Sequence, residues 1–243
     1  MPTDLPVSAR LALWFTAWVG GHASLDEARD AVLGDDAAHD VVGLPGQPES
    51  VPLILALGLL RSQGGRRAAL ALPVPGDLLG LAGPASFNGE ALDAGEGVVV
   101  DGAGLGLVPT RVGAAVQWTC HSAHTALQVP DPGEADAGLR QALLSTAERL
   151  AVLDVARWRP DAADALMDLR HPVDLVLPRA VTARAVRLAG LATRCRTVVD
   201  LAMADDGGSV TTYEADARRD ALRPLDHAAR RGLVAACAYP WQG

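Results

Sequence analysis

The chain has 243 residues, about half of them apolar and a fifth charged, which is the composition of a globular protein and not of a disordered one. Its net charge is −8, and all 21 basic residues are Arg. The absence of Lys excludes Schiff-base chemistry, a phosphate-loop lysine and a kinase-type ion pair, and no apolar run nears the ~20 residues of a membrane span.

Residues 7–19 have the spacing of an amphipathic helix, with Trp14 and Trp18 four apart on one face and Gly20-Gly21 as the stop. Ser24 caps a second helix whose first turn carries Asp26 and Glu27, where the helix dipole favours acids; it ends near Gly34. Residues 35–50 are acidic and contain Pro and Gly, so they are expected to be a loop. Residues 51–62 predict a helix with Pro52 in its first turn. Ala68–Val74 is a short apolar run bounded by turn residues, as a buried strand would be. The Gly- and Pro-rich connection 75–89 follows, with a helix expected over Ser86–Leu92. Residues 97–101 and 105–109 read as strands about a turn at 101–104. Residues 114–122 alternate, putting Val116, Trp118 and Cys120 on one face and Gln117, Thr119 and His121 on the other.

The Pro-rich, acidic stretch 129–137 is the expected boundary. Beyond it the pattern is helical. Helices are expected over 138–158, from Pro160-Asp161 to about Arg170, over 179–204 as one helix or as two broken at Gly190, from a Thr211-x-x-Glu214 capping box, and from Pro224 to Cys237. The fold class is therefore α+β: a mixed α/β domain over 1–130 with a small mixed or antiparallel sheet, followed by a helical domain over 134–243.

Four clusters carry possible chemistry, each beside a plainer reading. In the loop 73–89, Asp77, Ser86, Asn88 and Glu90 would line a ligand site beyond a strand end; the plainer reading is a turn at Asp77 and a helix cap at Ser86. Its glycines match neither a dinucleotide nor a phosphate-loop fingerprint. Cys120, His121 and His124 are three potential metal ligands; the plainer reading is a core thiol and two surface histidines. Asp35, Asp36, His39 and Asp40 suit a divalent cation or, more plainly, a solvated loop. Arg184, Arg187 and Arg194 share one side of a helix and would meet nucleic-acid phosphates or an acidic partner; the plainer readings are packing on the acidic first half of the same chain and a solvated face. In Arg157-Trp158-Arg159 the Trp is placed for cation–π contact or for simple packing between helices. The stretch from Val198 to Ala236 resembles helix-turn-helix packing, a pattern of low specificity.

Charge is uneven along the chain. Residues 1–177 carry a net −11 and residues 178–243 a net +3. The three cysteines, Cys120, Cys195 and Cys237, are odd in number and far apart, so no disulfide framework is expected and a reducing, cytoplasmic setting fits. The apolar stretch 11–20 is not expected to be a secretory signal, because Asp4 precedes it and two Trp lie within it.

The phrases LPVPGDLLGL (72–81), LDVARWRPDAADAL (153–166), MADDGGSVTTYEA (203–215) and LRPLDHAARRGLVAAC (222–237) resemble an uncharacterised actinobacterial protein family. The resemblance implies a bacterial, cytoplasmic setting and assigns no residue a role. The residues themselves show no catalytic constellation, cofactor motif or metal set. The first functional expectation is a non-enzymatic binding or regulatory protein acting through protein–protein contact or self-association. The second is a small-ligand-binding protein or enzyme working at loop 73–89, through Asp77, Ser86 and Asn88. The third is nucleic-acid binding through Arg184, Arg187 and Arg194.

Overall fold

The computed structural model describes residues 5–126, 128–152, 175–204 and 212–238. The helices are α1 (Val7–Val19), α2 (Leu25–Leu33), α3 (Leu53–Ser62), α4 (Ala85–Ala94), α5 (Pro132–Val152), α6 (Ala183–Ala204) and α7 (Thr212–Ala238). The strands are β1 (His39–Val42), β2 (Val51–Pro52), β3 (Arg67–Ala71), β4 (Gly97–Asp101), β5 (Leu105–Val112) and β6 (Ala115–Ser122). They form one six-stranded sheet in the order β2-β1-β6-β5-β4-β3. The chain divides into two compact units, one built mainly from Leu5–Val129 with Val176–Thr182, the other mainly from Pro130–Leu175 and Ala183–Ala236. The protein is α+β.

In the first unit β3, β4, β5 and β6 make an antiparallel meander, and β1 adds to β6 in parallel. That pairing makes the sheet mixed. The sequence reading left 35–50 as loop and so missed β1. Only four residues are paired there, and alternation over so short a stretch is no signal above its acidic surroundings. The expected face pattern of β6 is observed: Val116, Trp118 and Cys120 are buried.

Both sheet edges are protected. At one end β2 is two residues long and ends in Pro52, which has no N–H to offer. At the other, Thr16 of α1 lies on β3. Its hydroxyl accepts from the Ala68 N–H at 3.0 Å and donates to the Ala68 carbonyl at 3.3 Å, so an edge residue is satisfied on both sides. Leu11, Leu13, Phe15 and Ala17 of the same helix are buried. On the sheet, α4 places Phe87 and Ala91 against Ala71, Val99, Val108 and Ala123. Gly106 of β5 allows this, because a Cβ there would come within 2.5 Å of the Phe87 ring.

Helix ends follow local chemistry. Ser24 forms a complete capping box with Glu27. Pro6 gives α1 no side-chain cap; Glu96, remote in sequence, supplies one by accepting from the Ser8 N–H at 2.9 Å. In the second unit α5 starts six residues earlier than the expected 138, because Asp131 Oδ1 accepts from the N–H groups of Gly133 at 2.7 Å and Glu134 at 3.0 Å. Of the two alternatives for 179–204 the single helix is observed, and the expected helix start at Pro224 is absent. Helix α6 runs through Gly190, and α7 runs through Pro224. A proline removes one backbone bond, and burial of Leu222, Leu225 and Ala229 around it offsets that loss. The helix-turn-helix reading of 198–236 is replaced by these two long helices. The helix expected from Pro160 and the Arg157-Trp158-Arg159 group lie outside the described residues.

Glu96→Ala should lower stability by about 1 kcal/mol, the usual worth of a helix N-cap, while Glu96→Gln, which keeps an acceptor oxygen, should lose less. Urea unfolding of the two variants checks the order.

Candidate functional site

Asp36 follows α2 and accepts from three groups. Arg10 of α1 reaches Oδ2 at 2.8 Å, Arg111 of β5 reaches Oδ1 at 2.6 Å, and His39 Nε2 lies 3.0 Å from Oδ2. The Trp118 indole N–H donates to His39 Nδ1 at 3.4 Å. This pattern makes His39 a neutral ring with its proton on Nε2. Burial alone would raise the Asp36 carboxyl, but the hydrogen bonds from Arg111, His39 and Arg10 outweigh it and hold the pKa at about 2. Burial lowers His39 below its usual value and overrides the opposing pull of Asp36. The divalent-cation reading of Asp35, Asp36, His39 and Asp40 loses its central ligand, because both oxygens of Asp36 are taken. Among the described residues no group of three or more His, Cys, Asp or Glu is placed to hold a metal ion.

Loop 73–89 folds back on its own strand. Leu72 N–H donates to Leu79 O at 3.1 Å, and Val74 and Asp77 exchange two backbone bonds of 2.9 Å. Asn88 Oδ1 accepts from the Gly83 N–H at 3.0 Å. Ser86 is exposed and makes no cap, since the helix starts one residue earlier at Ala85 with Pro84 before it. The structure brings this loop to the end of β6, where His124 N–H donates to Gly83 O at 2.9 Å. His121 packs against the Phe87 ring, 6.0 Å between centroids, and its Nε2 is 3.0 Å from Glu90 Oε2. That approach does not have the alignment of a hydrogen bond. Asp77, Ser86 and Asn88 therefore share a loop whose backbone bonds are made locally, while Cys120 faces the core and His121 the opposite side.

The cysteines are committed to packing. Burial pushes the thiols of Cys120 and Cys195 up to about 11 and that of Cys237 to about 12, far from the thiolate a nucleophile needs.

The helical unit holds an open cleft of about 650 Å³ between α5 and α7. Thr146 Oγ1 donates to Ala221 O at 3.5 Å, and a Cβ on Gly232 would meet Leu139 at 3.4 Å, so the two helices run antiparallel. The α5 wall presents Ala135, Gly138 and Ala142, with Gln141 and Ser145 beside them and Asp131 and Glu134 at one end. The α7 wall presents Arg223, His227 and Arg231 at helical spacing, with Pro224 and Ala228 between them. The sequence reading did not find this cleft. Its signals were present as two faces, small residues at i, i+3, i+7 on one and Arg, His and Arg at i, i+4, i+8 on the other, but nothing local says that the faces meet.

The arginines expected to act together differ in setting. Arg184 lies over Gly133, and its charge acts on Asp131. Arg187 is exposed. Arg194 is half-buried, with its Nε shut away from solvent.

Fold and cleft define an α+β protein in which a mixed-sheet unit is joined to a helical unit with an open, cation-walled groove. The Rv1486c-like protein N-terminal domain matches residues 8–135, and the C-terminal domain of the same family matches residues 133–234. The chain belongs to the Rv1486c-like family. It is 31% identical to the uncharacterized protein Rv1486c of Mycobacterium tuberculosis, across 94% of this chain and 95% of that one. It is 32% identical to the uncharacterized protein MAV321 of Mycobacterium avium across 65% of each chain, and 26% identical to the uncharacterized protein ML1804 of Mycobacterium leprae across 94% and 95%. These relatives bear out the expected actinobacterial family. No solved structure matches the chain, and among the described residues no helix is long and apolar enough to cross a membrane.

The unfolded chain binds protons more tightly than the folded one at both Asp36 and His39, so acidification favours unfolding. Their contribution should be complete above pH 6.5, fall first as His39 protonates, and fall again from 3.8 toward about 2 as Asp36 does. Asp36→Asn should cost about 1–2 kcal/mol, the scale of partly buried charge-assisted hydrogen bonds lost, and flatten the acid limb. Denaturant titrations across this pH range check both.

Proposed function

We propose that the protein is a non-enzymatic binding protein and that the α5–α7 cleft is its binding site. The cleft carries the reading: about 650 Å³ falls within the size of sites that bury small ligands, and small apolar residues form its floor beneath a rim of polar and charged side chains. The side chains best suited to chemistry are engaged elsewhere, His39 in the Asp36 network and the three thiols in packing. The free cysteines support a reducing, cytoplasmic setting.

A second reading, contact with a protein partner or a second copy, is favoured by large apolar side chains left in solvent on the same unit: Leu144 of α5 and Val186, Leu201 and Met203 of α6. Exposed Arg184 and Arg187 on α6 favour an acidic surface opposite it.

Gly138 separates the possibilities, because a Cβ there meets nothing within 4 Å. Gly138→Ala should raise stability by about 0.5–1 kcal/mol through helix propensity. Gly138→Leu should fold equally well and fill the cleft. In a thermal-shift screen of small metabolites, compounds that raise the melting temperature of the parent protein should lose their effect on the Leu variant. Hits that survive unchanged would remove the cleft from the account, and a concentration-dependent mass in sedimentation would favour the second reading.

A further inference from the structure

We propose that the occupant of the cleft is an amphipathic small anion, a molecule with an apolar body and one carboxylate, phosphate or sulfate head; this rests on the cleft being the binding site. Two features of the lining combine to select that class. The first is the cationic wall. Arg223 and Arg231 lie eight residues apart on α7, so their side chains follow one line along the cleft, about 12 Å from first to last at the helical rise. The second is the floor. Ala135, Gly138 and Ala142 of α5 and Pro224 and Ala228 of α7 present methyl, methylene and backbone carbon, with no bulk to exclude a chain or ring.

Acids in the lining do not cancel the wall. Asp131 is spent on the α5 N-terminus through its bonds to Gly133 and Glu134, and it also feels the Arg184 charge. Arg223 meets Asp220 at 3.0 Å, but both side chains are mostly in solvent, and such pairs are worth little. A ligand anion competes with that pair readily. The antiparallel register puts Glu134 near Arg231, at the opposite end of the cleft from Arg223. The head therefore belongs at the Arg223 end, beside Gln141 and Ser145, and the body extends along Ala142, Ala228 and Gly138. The cleft is open, so the head keeps part of its hydration and avoids the full cost of burying a charge. A neutral ligand of the same shape gains the floor and nothing from the wall. A polar anion without a body gains only the wall, which salt screens.

The test uses the full chain and a displacement assay. Anilinonaphthalene sulfonate is the fluorescent probe, and decanoate and the neutral decanol are the competitors, all below their aggregation limits. Decanoate should displace the probe at least about tenfold more tightly than decanol, the scale of a charge-assisted contact. The pair Arg223→Gln and Arg231→Gln should remove that preference without changing the decanol value. Gly138→Leu should weaken both competitors. Circular dichroism melts establish that each variant is folded, since the probe also binds loosened proteins. Equal displacement by decanoate and decanol, lost in Gly138→Leu, would keep the cleft and overturn the anion. Displacement indifferent to Gly138→Leu would overturn the cleft itself. Sedimentation with phosphatidylglycerol vesicles separates a free molecule from a bilayer headgroup. A free ligand predicts that the protein stays in solution, and co-sedimentation abolished by the Arg pair would overturn the assignment to a free molecule.

Discussion

Asp36 is the point on which the sheet unit turns. Its two oxygens hold an arginine from α1, an arginine from β5 and the imidazole of β1, and that imidazole receives the indole N–H of β6. One short loop thus ties a helix to three strands. The constraint matters because β1 is the only strand of the sheet that joins its neighbour β6 in parallel. A parallel neighbour cannot be reached by a tight hairpin, so its place depends on tertiary contacts. The network supplies them, and it does so with groups that are costly to leave unpaired once buried.

The same unit shows how remote residues complete what local sequence leaves open. The first helix has no cap of its own, and Glu96 provides one across the fold. The outer strand β3 has unpaired backbone groups at Ala68, and the Thr16 hydroxyl meets both. Helix α1 is therefore both the apolar lid of the core and the cover of an exposed edge, which is a standard hazard of open sheets. Chemistry that looked available in sequence is absorbed in this construction. His39 and Asp36 hold strands together, Cys120 packs, and Asn88 closes the turn before α4.

The helical unit is built differently. Its helices are long and lined with Ala, so they approach closely and leave a groove of small residues between α5 and α7. The two units thus differ: the sheet unit ties Asp36, His39 and Asn88 into its folding, and the helical unit carries an open groove lined with charged and small residues.

By itself the sequence determined the elements whose signals are local. The first helix ends at Gly20 because Gly20-Gly21 stops it, the second starts at Leu25 because Ser24 and Glu27 cap each other, and β6 shows its buried face by strict alternation. The α+β class follows from that change of period along the chain. Only the tertiary structure decided the rest. Residues 39–42 are a strand because β6 lies beside them, and Pro224 lies inside a helix because packing on both sides outweighs one missing hydrogen bond. The cleft exists because two faces, each unremarkable alone, are brought together by an antiparallel pairing. Periodicity reports which way a residue points on its own helix; it carries no information about which other helix it will face.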